Sequence, residues 1–566
     1  MKTDDVIYQI IQERKFIVFC GAGVSRRSGI PSVQPLLTDV LTKLGAYPEH
    51  IRLLFNTAFP FEAIMENLQE RVNIIPLLKV FDLVNPNANH NFIAWLAKNN
   101  FLKIIITTNF DRNIEIALAD QGLTETVDFH IISELETFQP DDYPNKILVL
   151  KIHGTSGDIN SILTTISRIA SKKNLGIMGK FLENILTSIQ FENILFMGYS
   201  FSDHFDIEPA ILALPSCNKS VYHIAYQNAA LPEVIADDHA HLLRGRFLSI
   251  KALKCDFDIL ISALYNRLKV PFYDCAEQKG WYTITSDWIN ASFNKAPFNH
   301  ANVCLGHLFL AAGFTAVARS YAEVCRNADE STEKDKTLLM LTDEVIGKSY
   351  LKDPNDRDAG LAEKHYLEAR KMACEIGDEF YFKTYTGDLG TCYNYQQDYP
   401  KAELHFNEAL SYYEPLLADP EKRSLVMERY TRFTIYLAHS FTKRYDYVNA
   451  TRIYENIIPI CREEGFMSSY ELGITGYGLA NVVNRKWSAG LKKFIDAWPV
   501  AKVYGSVDRM RSVFFLVCSW TRQVKGTLKA QEFYDREIDF MRRTTDFDRP
   551  LNHIPKRLIK NYNYRA

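Results

Sequence analysis

The feature that most constrains this chain is an alternation, confined to its first half, of short unbroken apolar runs with amphipathic stretches. The runs are residues 16–20 (Phe-Ile-Val-Phe-Cys), 103–107, 147–152, 193–197 and 221–225. Each is rich in Ile, Val, Leu or Phe and lacks polar alternation, as expected of strands covered on both faces. Residues 92–98, 112–121 and 178–190, which lie between them, carry helical spacing. Strand–helix alternation predicts an α/β fold with a doubly wound, Rossmann-like parallel sheet. Ligands of such sheets bind beyond the carboxyl ends of the strands.

The second half reads differently. From about Trp281 helical periodicity dominates, and a repeat emerges. One copy places Leu389, Gly390 and Tyr393 on a first helix, then Ala402, Phe406, Ala409 and Pro415 on and after a second. An upstream copy has Ile346, Gly347, Tyr350, Ala362, Tyr366 and Ala369; a downstream one has Leu437, Ala438, Phe441, Ala450, Tyr454 and Ile457. Weaker copies are Leu305, Gly306, Phe309, Ala318 and Ala322, and then Gly478, Phe494 and Ala497. The spacing resembles the tetratricopeptide pattern, in which small residues let two helices pack closely. The expected organisation is an α/β domain over residues 1–270, a connection over 271–299 and an all-α helical-repeat domain over 300–566. Stacked repeats present a concave surface suited to a protein partner or a further subunit.

Composition narrows the functional classes. The chain has 566 residues and a formal net charge of −3, so nothing global points to nucleic acid or an anionic membrane. No run of about 18 apolar residues suggests a membrane span, and residues 1–13 lack a secretory core, so a cytoplasmic protein is expected. The ten cysteines are scattered without a C-x-x-C pair, which argues against a zinc ribbon and a disulfide framework. Cys20 ends an apolar run and reads as core packing rather than as a nucleophile.

Four motifs follow the apolar runs. Gly21-Ala22-Gly23-Val24-Ser25 offers a tight turn, close backbone approach to a pyrophosphate and, with a helix expected next, a helix N-terminus for negative charge. Arg26 occupies the sixth position of G-x-G-x-x-G, which disfavours an ordinary hydride-transfer site. Thr107-Thr108-Asn109-Phe110-Asp111 supplies side chains that suit either a ligand or the cap of a helix beginning near Arg112. Lys151-Ile152-His153-Gly154 brings a histidine to a strand end, and Gly198-Tyr199-Ser200-Phe201-Ser202-Asp203 brings a glycine and a hydroxyl. Asp203 reads equally as a ribose ligand and as a helix cap.

Together with Gly29-Ile30-Pro31, these motifs in this order resemble the NAD-binding core of sirtuins, over roughly residues 1–270. The resemblance implies a sirtuin-like fold and NAD as substrate. Gly21, Ala22, Gly23 and Ser25 would then contact NAD phosphates and ribose. Asn109 and Asp111 would line the nicotinamide-ribose pocket beside Thr108, His153 would be the catalytic histidine, and Gly198 and Ser200 would hold the adenosine side.

Departures from the family are equally informative. Sirtuin deacylases carry two cysteine pairs that bind zinc, and this chain has none between His153 and Gly198, so no metal is expected. Ser32-Val33-Gln34 replaces the usual Asp-Phe-Arg, and Thr108 stands where the family has Gln. Sirtuin-like domains fused to large helical regions resemble bacterial antiphage effectors that cleave NAD to nicotinamide and ADP-ribose. The expectation is therefore an NAD glycohydrolase gated by homo-oligomerisation or by a protein trigger at the repeats. A non-catalytic NAD or ADP-ribose-binding scaffold and a protein deacylase or ADP-ribosyltransferase are the alternatives.

Overall fold

The computed structural model describes residues 3–57, 59–139, 142–187, 191–201, 206–226, 246–271, 280–293, 297–327, 335–353, 357–504, 507–545 and 550–551. The chain divides into two compact units. The first comprises Met1–Asp39, Asn73–Thr164 and Arg168–Trp288; the second comprises Val40–Val72, Thr165–Ser167 and Ile289–Ala566. Within the stretch 271–299, Trp281–Phe293 is helical, while residues 272–279 and 294–296 lie outside the described residues.

The first unit is built on seven parallel strands: β1 Phe16–Cys20, β2 Ile104–Thr107, β3 Phe129–Ile132, β4 Ile147–Lys151, β5 Asn193–Met197, β6 Cys217–Tyr226 and β7 Phe247–Cys255. Their order is β3-β4-β2-β1-β5-β6-β7. Helices cover both faces, and the two-residue period of each strand divides its side chains between two cores. Phe16, Val18 and Cys20 enter one core with Phe92, Ile105, Val149 and Leu195. Ile17 and Phe19 enter the other with Ile106, Leu148, Phe181 and Phe196. This double burial explains why the central strands read as unbroken apolar runs. Cys20 is fully buried, and burial pushes its thiol pKa up, so it packs and does not attack.

β1 feeds toward β2, whereas β5 feeds toward β6, so the chain reverses direction between β1 and β5. That is the topological switch point at which doubly wound sheets open a crevice.

The second unit contains six successive helical hairpins among its described residues. Four of them pair Pro297–Ala312 with Thr315–Asn327, Lys336–Lys352 with Ala359–Ile376, Glu379–Tyr395 with Tyr399–Leu416, and Pro420–Lys443 with Tyr447–Glu463. The last two pair Met467–Val483 with Trp487–Tyr504 and Val507–Lys525 with Thr527–Thr545. The small residues of the repeat occupy the crossing. A methyl group added to Gly306, Gly347 or Gly390 would come within 3.3, 3.4 and 3.2 Å of the carbonyl oxygens of Ala318, Ala362 and Ala402. In the fifth hairpin the roles exchange: a methyl on Gly490 would lie 2.8 Å from the Gly478 oxygen. No helix among the described residues is long and apolar enough to cross a membrane.

The methyl of Gly390→Ala would also lie 2.9 Å from ring carbons of the buried Phe406. Overpacking costs ~1–3 kcal/mol, against a gain of about 1 kcal/mol in helix propensity. We expect a lower urea midpoint for Gly390→Ala. A midpoint at or above wild type would contradict close packing at this crossing.

Candidate active site

The carboxyl ends of β4, β2, β1 and β5 stand side by side, and their loops carry the sequence motifs. Thr107 of β2 is in register with Lys151 of β4, so Asn109 and His153 each lie two residues beyond a paired position. The loops are stitched together, Ile152 N–H donating to the Thr107 carbonyl (3.1 Å) and Ser156 N–H to that of Phe110 (2.7 Å). Across the switch point, Gly21 N–H donates to Met197 O (3.0 Å) and Gly23 N–H to Gly198 O (2.9 Å). A Cβ on Gly21 would lie 2.6 Å from Gly198 O, and one on Gly23 2.7 Å from Gly198 Cα. Gly198 itself has φ +61°, and its own Cβ would lie 2.6 Å from Val24 N. Backbone therefore meets backbone here, and no larger residue fits.

Ser25 is the hub of a buried polar cluster. Its Oγ donates to Asp111 Oδ2 (2.8 Å) and accepts from Asn109 Nδ2 (3.0 Å). It also lies 3.1 Å from His90 Nε2. The histidine tautomer follows from its other nitrogen: Asn87 N–H donates to His90 Nδ1 (3.1 Å), which leaves the proton on Nε2, pointing at Ser25. The Ser25 hydroxyl thus accepts two hydrogen bonds and donates one. Burial lowers the His90 pKa to about 4, the nearby Asp111 carboxylate opposing this only in part, so the ring is neutral at pH 7. Asn87 caps the helix Ala88–Lys98 through a capping box, and its Nδ2 donates to Val24 O (2.8 Å), which ties that helix to the glycine loop.

His153 is buried, and its Nε2 lies 2.9 Å from Asp206 Oδ2. Asp206 is also buried, and its Oδ1 accepts from Ile207 N–H (2.7 Å) at the start of the helix Ile207–Ala213. The carboxylate is thereby held, and it holds the imidazole. Gly154 follows with φ +89°, where a Cβ would lie 2.3 Å from Ser161 O, so the turn after the histidine requires glycine. Beneath these groups Lys151 and Glu115 form a buried ion pair (3.0 Å), and Lys151 Nζ also donates to the Asp111 carbonyl. Burial pushes the Glu115 carboxyl pKa up, and Lys151 pulls against it.

The structure brings Ser25, Asn109 and Asp111 into one hydrogen-bonded cluster and sets His153 on the adjoining loop. Asp111 both joins the cluster and steadies the following helix, its Oδ1 accepting from Asn113 N–H (3.0 Å). Thr108 is half-buried and donates its N–H to Cys20 O (3.1 Å). Ala22, Gly23 and Ser200 are exposed at the edge, and Asp203 lies outside the described residues.

One expectation is corrected. The glycine loop leads into a four-residue 3-10 turn, Ala22–Ser25, and the next regular helix begins at Val33. Gly29, with φ +75°, and Pro31 interrupt the segment, so backbone approach and Ser25 carry the motif rather than a long helix's dipole. The sequence reading also missed His90, Asn87, Asp206 and Glu115. A usable signal for His90 was its place three residues after Asn87, at capping-box spacing.

Because the folded His90 has its pKa near 4 and an unfolded histidine near ~6.5, the unfolded chain binds more protons between these values. His90 therefore contributes its full stability above about pH 6.5 and loses it as pH falls toward 4, up to about 3 kcal/mol. The pKa values of buried His307 and His439 are also lowered, so the comparison must be made with a His90→Gln variant. Denaturant unfolding at pH 7 and pH 5 should show a smaller acid loss in that variant than in wild type.

Residues 103–230 match a family model described as a SIR2-like domain. No curated protein matches the chain. Among solved structures the chain is similar to a Rap protein complexed with competence and sporulation factor, at 13% identity and TM-score 0.38, covering 47% of this chain and 70% of that one. It is similar to the apo form of RapI at 12% identity and TM-score 0.31, covering 49% and 73%. It is also similar to a signal transduction ATPase with numerous domains and a tetratricopeptide repeat sensor from Pyrococcus horikoshii, at 12% identity and TM-score 0.33, covering 96% and 90%. These three likenesses are too remote to bear on function. Asn109, Asp111, His153 and Asp206 thus lie within the SIR2-like match, with NAD the ligand class it implies, while Ser25 and His90 join them from the preceding segment, in a chain whose other half is a helical-repeat array.

Proposed function

We propose that the chain is an NAD glycohydrolase, releasing nicotinamide and ADP-ribose. The observation that carries this reading is the placement of His153, held by buried Asp206, beside the Ser25–Asn109–Asp111 cluster at one sheet edge. A hydroxyl, an amide, a carboxylate and a glycine loop that exposes backbone are a donor and acceptor set suited to ribose hydroxyls and phosphate oxygens. Pure binding would not require a buried imidazole–carboxylate pair at that edge.

In the proposed reaction the ribose C1′–nitrogen bond breaks, and its electron pair neutralises the pyridinium as nicotinamide leaves. Positive charge develops on the ribose, where preorganised dipoles and carboxylates are most effective. Water adds to C1′ and gives up a proton, completing ADP-ribose. Asn109 holds the ribose and the attacking water, and His153 accepts a proton from that water or from a ribose hydroxyl. Asp111, already committed to Ser25 and to the Asn113 N–H, acts as a positioning residue. No metal enters this scheme.

We further propose that the helical repeats gate the activity, through a protein trigger or through assembly of several copies, and that the biological role is antiphage abortive infection in the cytoplasm. The fusion of a SIR2-like domain to repeats motivates this, since ungated NAD loss would harm the host.

With NAD as the sole substrate, the purified chain should release nicotinamide and ADP-ribose in equal amounts. Asn109→Ala and His153→Ala should each reduce turnover at least ~100-fold in protein that still unfolds cooperatively above the assay temperature. Wild-type turnover in His153→Ala would refute the assignment. Absence of turnover in the wild type would favour a binding scaffold, and a strict requirement for a protein co-substrate would favour deacylation or ADP-ribosyl transfer.

A further inference from the structure

The helical unit carries an open-sided cavity of about 200 Å³ that the repeat pattern does not explain. Six cationic side chains line it: Arg71, Lys348, Lys352, Arg429, Arg432 and Arg509. Stacked repeats need apolar residues at helix crossings, and charge facing a concave interior costs desolvation unless something repays it.

The carboxylates of the region are already committed. Glu344 pairs with Lys348, Glu428 with Arg429, Asp388 with Arg432 (3.4 Å) and Glu471 with Arg509 (3.0 Å). Glu70 lies 3.7 Å from Arg71, the longest of these pairs. Glu66, also on the wall, accepts from Ser167 N–H (3.1 Å), and burial raises its carboxyl pKa to about 7, which weakens it as a counter-charge. Lys352 has no hydrogen-bond or ion-pair partner among the described residues. Lys352 is solvent-accessible and faces Arg509, Lys348 and Arg432, with Asp388 opposing.

The Nε–H groups of Arg71, Arg429 and Arg432 are buried without an acceptor among the described residues. Arg71 Nη2 donates to His307 Nδ1 (3.1 Å), which puts the His307 proton on Nε2, and that N–H is also buried without an acceptor. Among the described residues Asp388 Oδ2 is the one buried acceptor without a partner on the same wall. These N–H groups are shielded from solvent, so the cation of this wall that is both accessible and without a partner among the described residues is Lys352.

We infer that this cavity binds a small ligand through a phosphate or pyrophosphate group, with Lys352 as the principal cation and the surrounding guanidinium groups as further donors. A tetrahedral oxyanion presents several acceptors and more than one negative charge, which matches clustered N–H donors better than a single carboxylate does. Free pyrophosphate, a nucleotide and a phosphorylated metabolite share this chemistry. The inference does not depend on the reaction proposed above, and NAD turnover is not its readout.

The test is titration calorimetry on the full chain with sodium pyrophosphate, repeated with acetate at equal ionic strength, on wild type, Lys352→Gln and Lys352→Arg. Saturable pyrophosphate binding is expected in wild type and in Lys352→Arg, at least tenfold weaker in Lys352→Gln, with no saturable heat from acetate. Without ligand, Lys352→Gln should melt at or above the wild-type temperature, because it removes an unpartnered cation rather than a structural contact. Absence of pyrophosphate binding in wild type would overturn the inference. So would unchanged binding in Lys352→Gln, which would place the anion elsewhere, including the glycine loops of the sheet. A ligand-free melting temperature several degrees below wild type in Lys352→Gln would assign Lys352 a structural role and overturn it as well.

Discussion

The contact on which the candidate site depends is the one between bare backbones at the centre of the sheet. Gly21 and Gly23 lean on Gly198 so closely that a single added methyl on any of the three would meet main-chain atoms. Side chains can shift to relieve crowding, but backbone held in a parallel ladder cannot. The loop after β1 is thereby fixed against the loop after β5, and its far end places Ser25 where Asn109 and Asp111 reach it. A tight turn in sequence has become the reference point for a polar site.

The Ser25 hydroxyl is saturated within the polar cluster. Ser25 accepts from Asn109 and His90 and donates to Asp111, so its hydroxyl has no unused capacity. A substrate that engages the Ser25 hydroxyl must exchange a hydrogen bond rather than fill a gap. Such exchange is nearly neutral when the new partner is equally good, and costs the full desolvation of a buried group when it is not. A closed network of this type discriminates by punishing mismatched ligands. The helical unit has the opposite accounting, with donors left over around Lys352.

What the sequence disclosed follows burial. β1, β2, β4 and β5 lie inside the sheet with both faces covered, so hydrophobic runs marked them to within a residue or so. The edge strands escaped notice. β3 is four residues long with a half-buried centre, and β7 mixes Leu248, which is 68% exposed, with exposed Lys251. The order of motifs pointed to Ser25, Asn109, Asp111 and His153, because each follows a legible strand. His90 escaped because Asn85-Pro86-Asn87-Ala88-Asn89-His90 reads as a polar loop, although the fold buries it. Asp206 escaped because pairing across 53 residues leaves no local trace. The repeat glycines were readable because close helix crossings demand small residues at fixed spacing, whereas charges gathered from five separate helices onto one wall show no spacing at all.

The second compact unit is assembled from chain segments made at very different times. Tyr47 and His50, in its early segment, complete their contacts on Tyr321, the Tyr47 N–H reaching the Tyr321 hydroxyl across 274 residues. At roughly 5–20 residues per second, a ribosome needs on the order of tens of seconds to supply that partner. Throughout that interval the amphipathic helices Pro48–Phe55 and Phe61–Gln69 have emerged without the surface that buries them. The sheet-bearing unit has all its strands before the first hairpin of the array is finished. Folding order during synthesis is thus written into the connectivity: the sheet-bearing half can form first, and the repeat array closes last, by recapturing a segment that preceded nearly everything else.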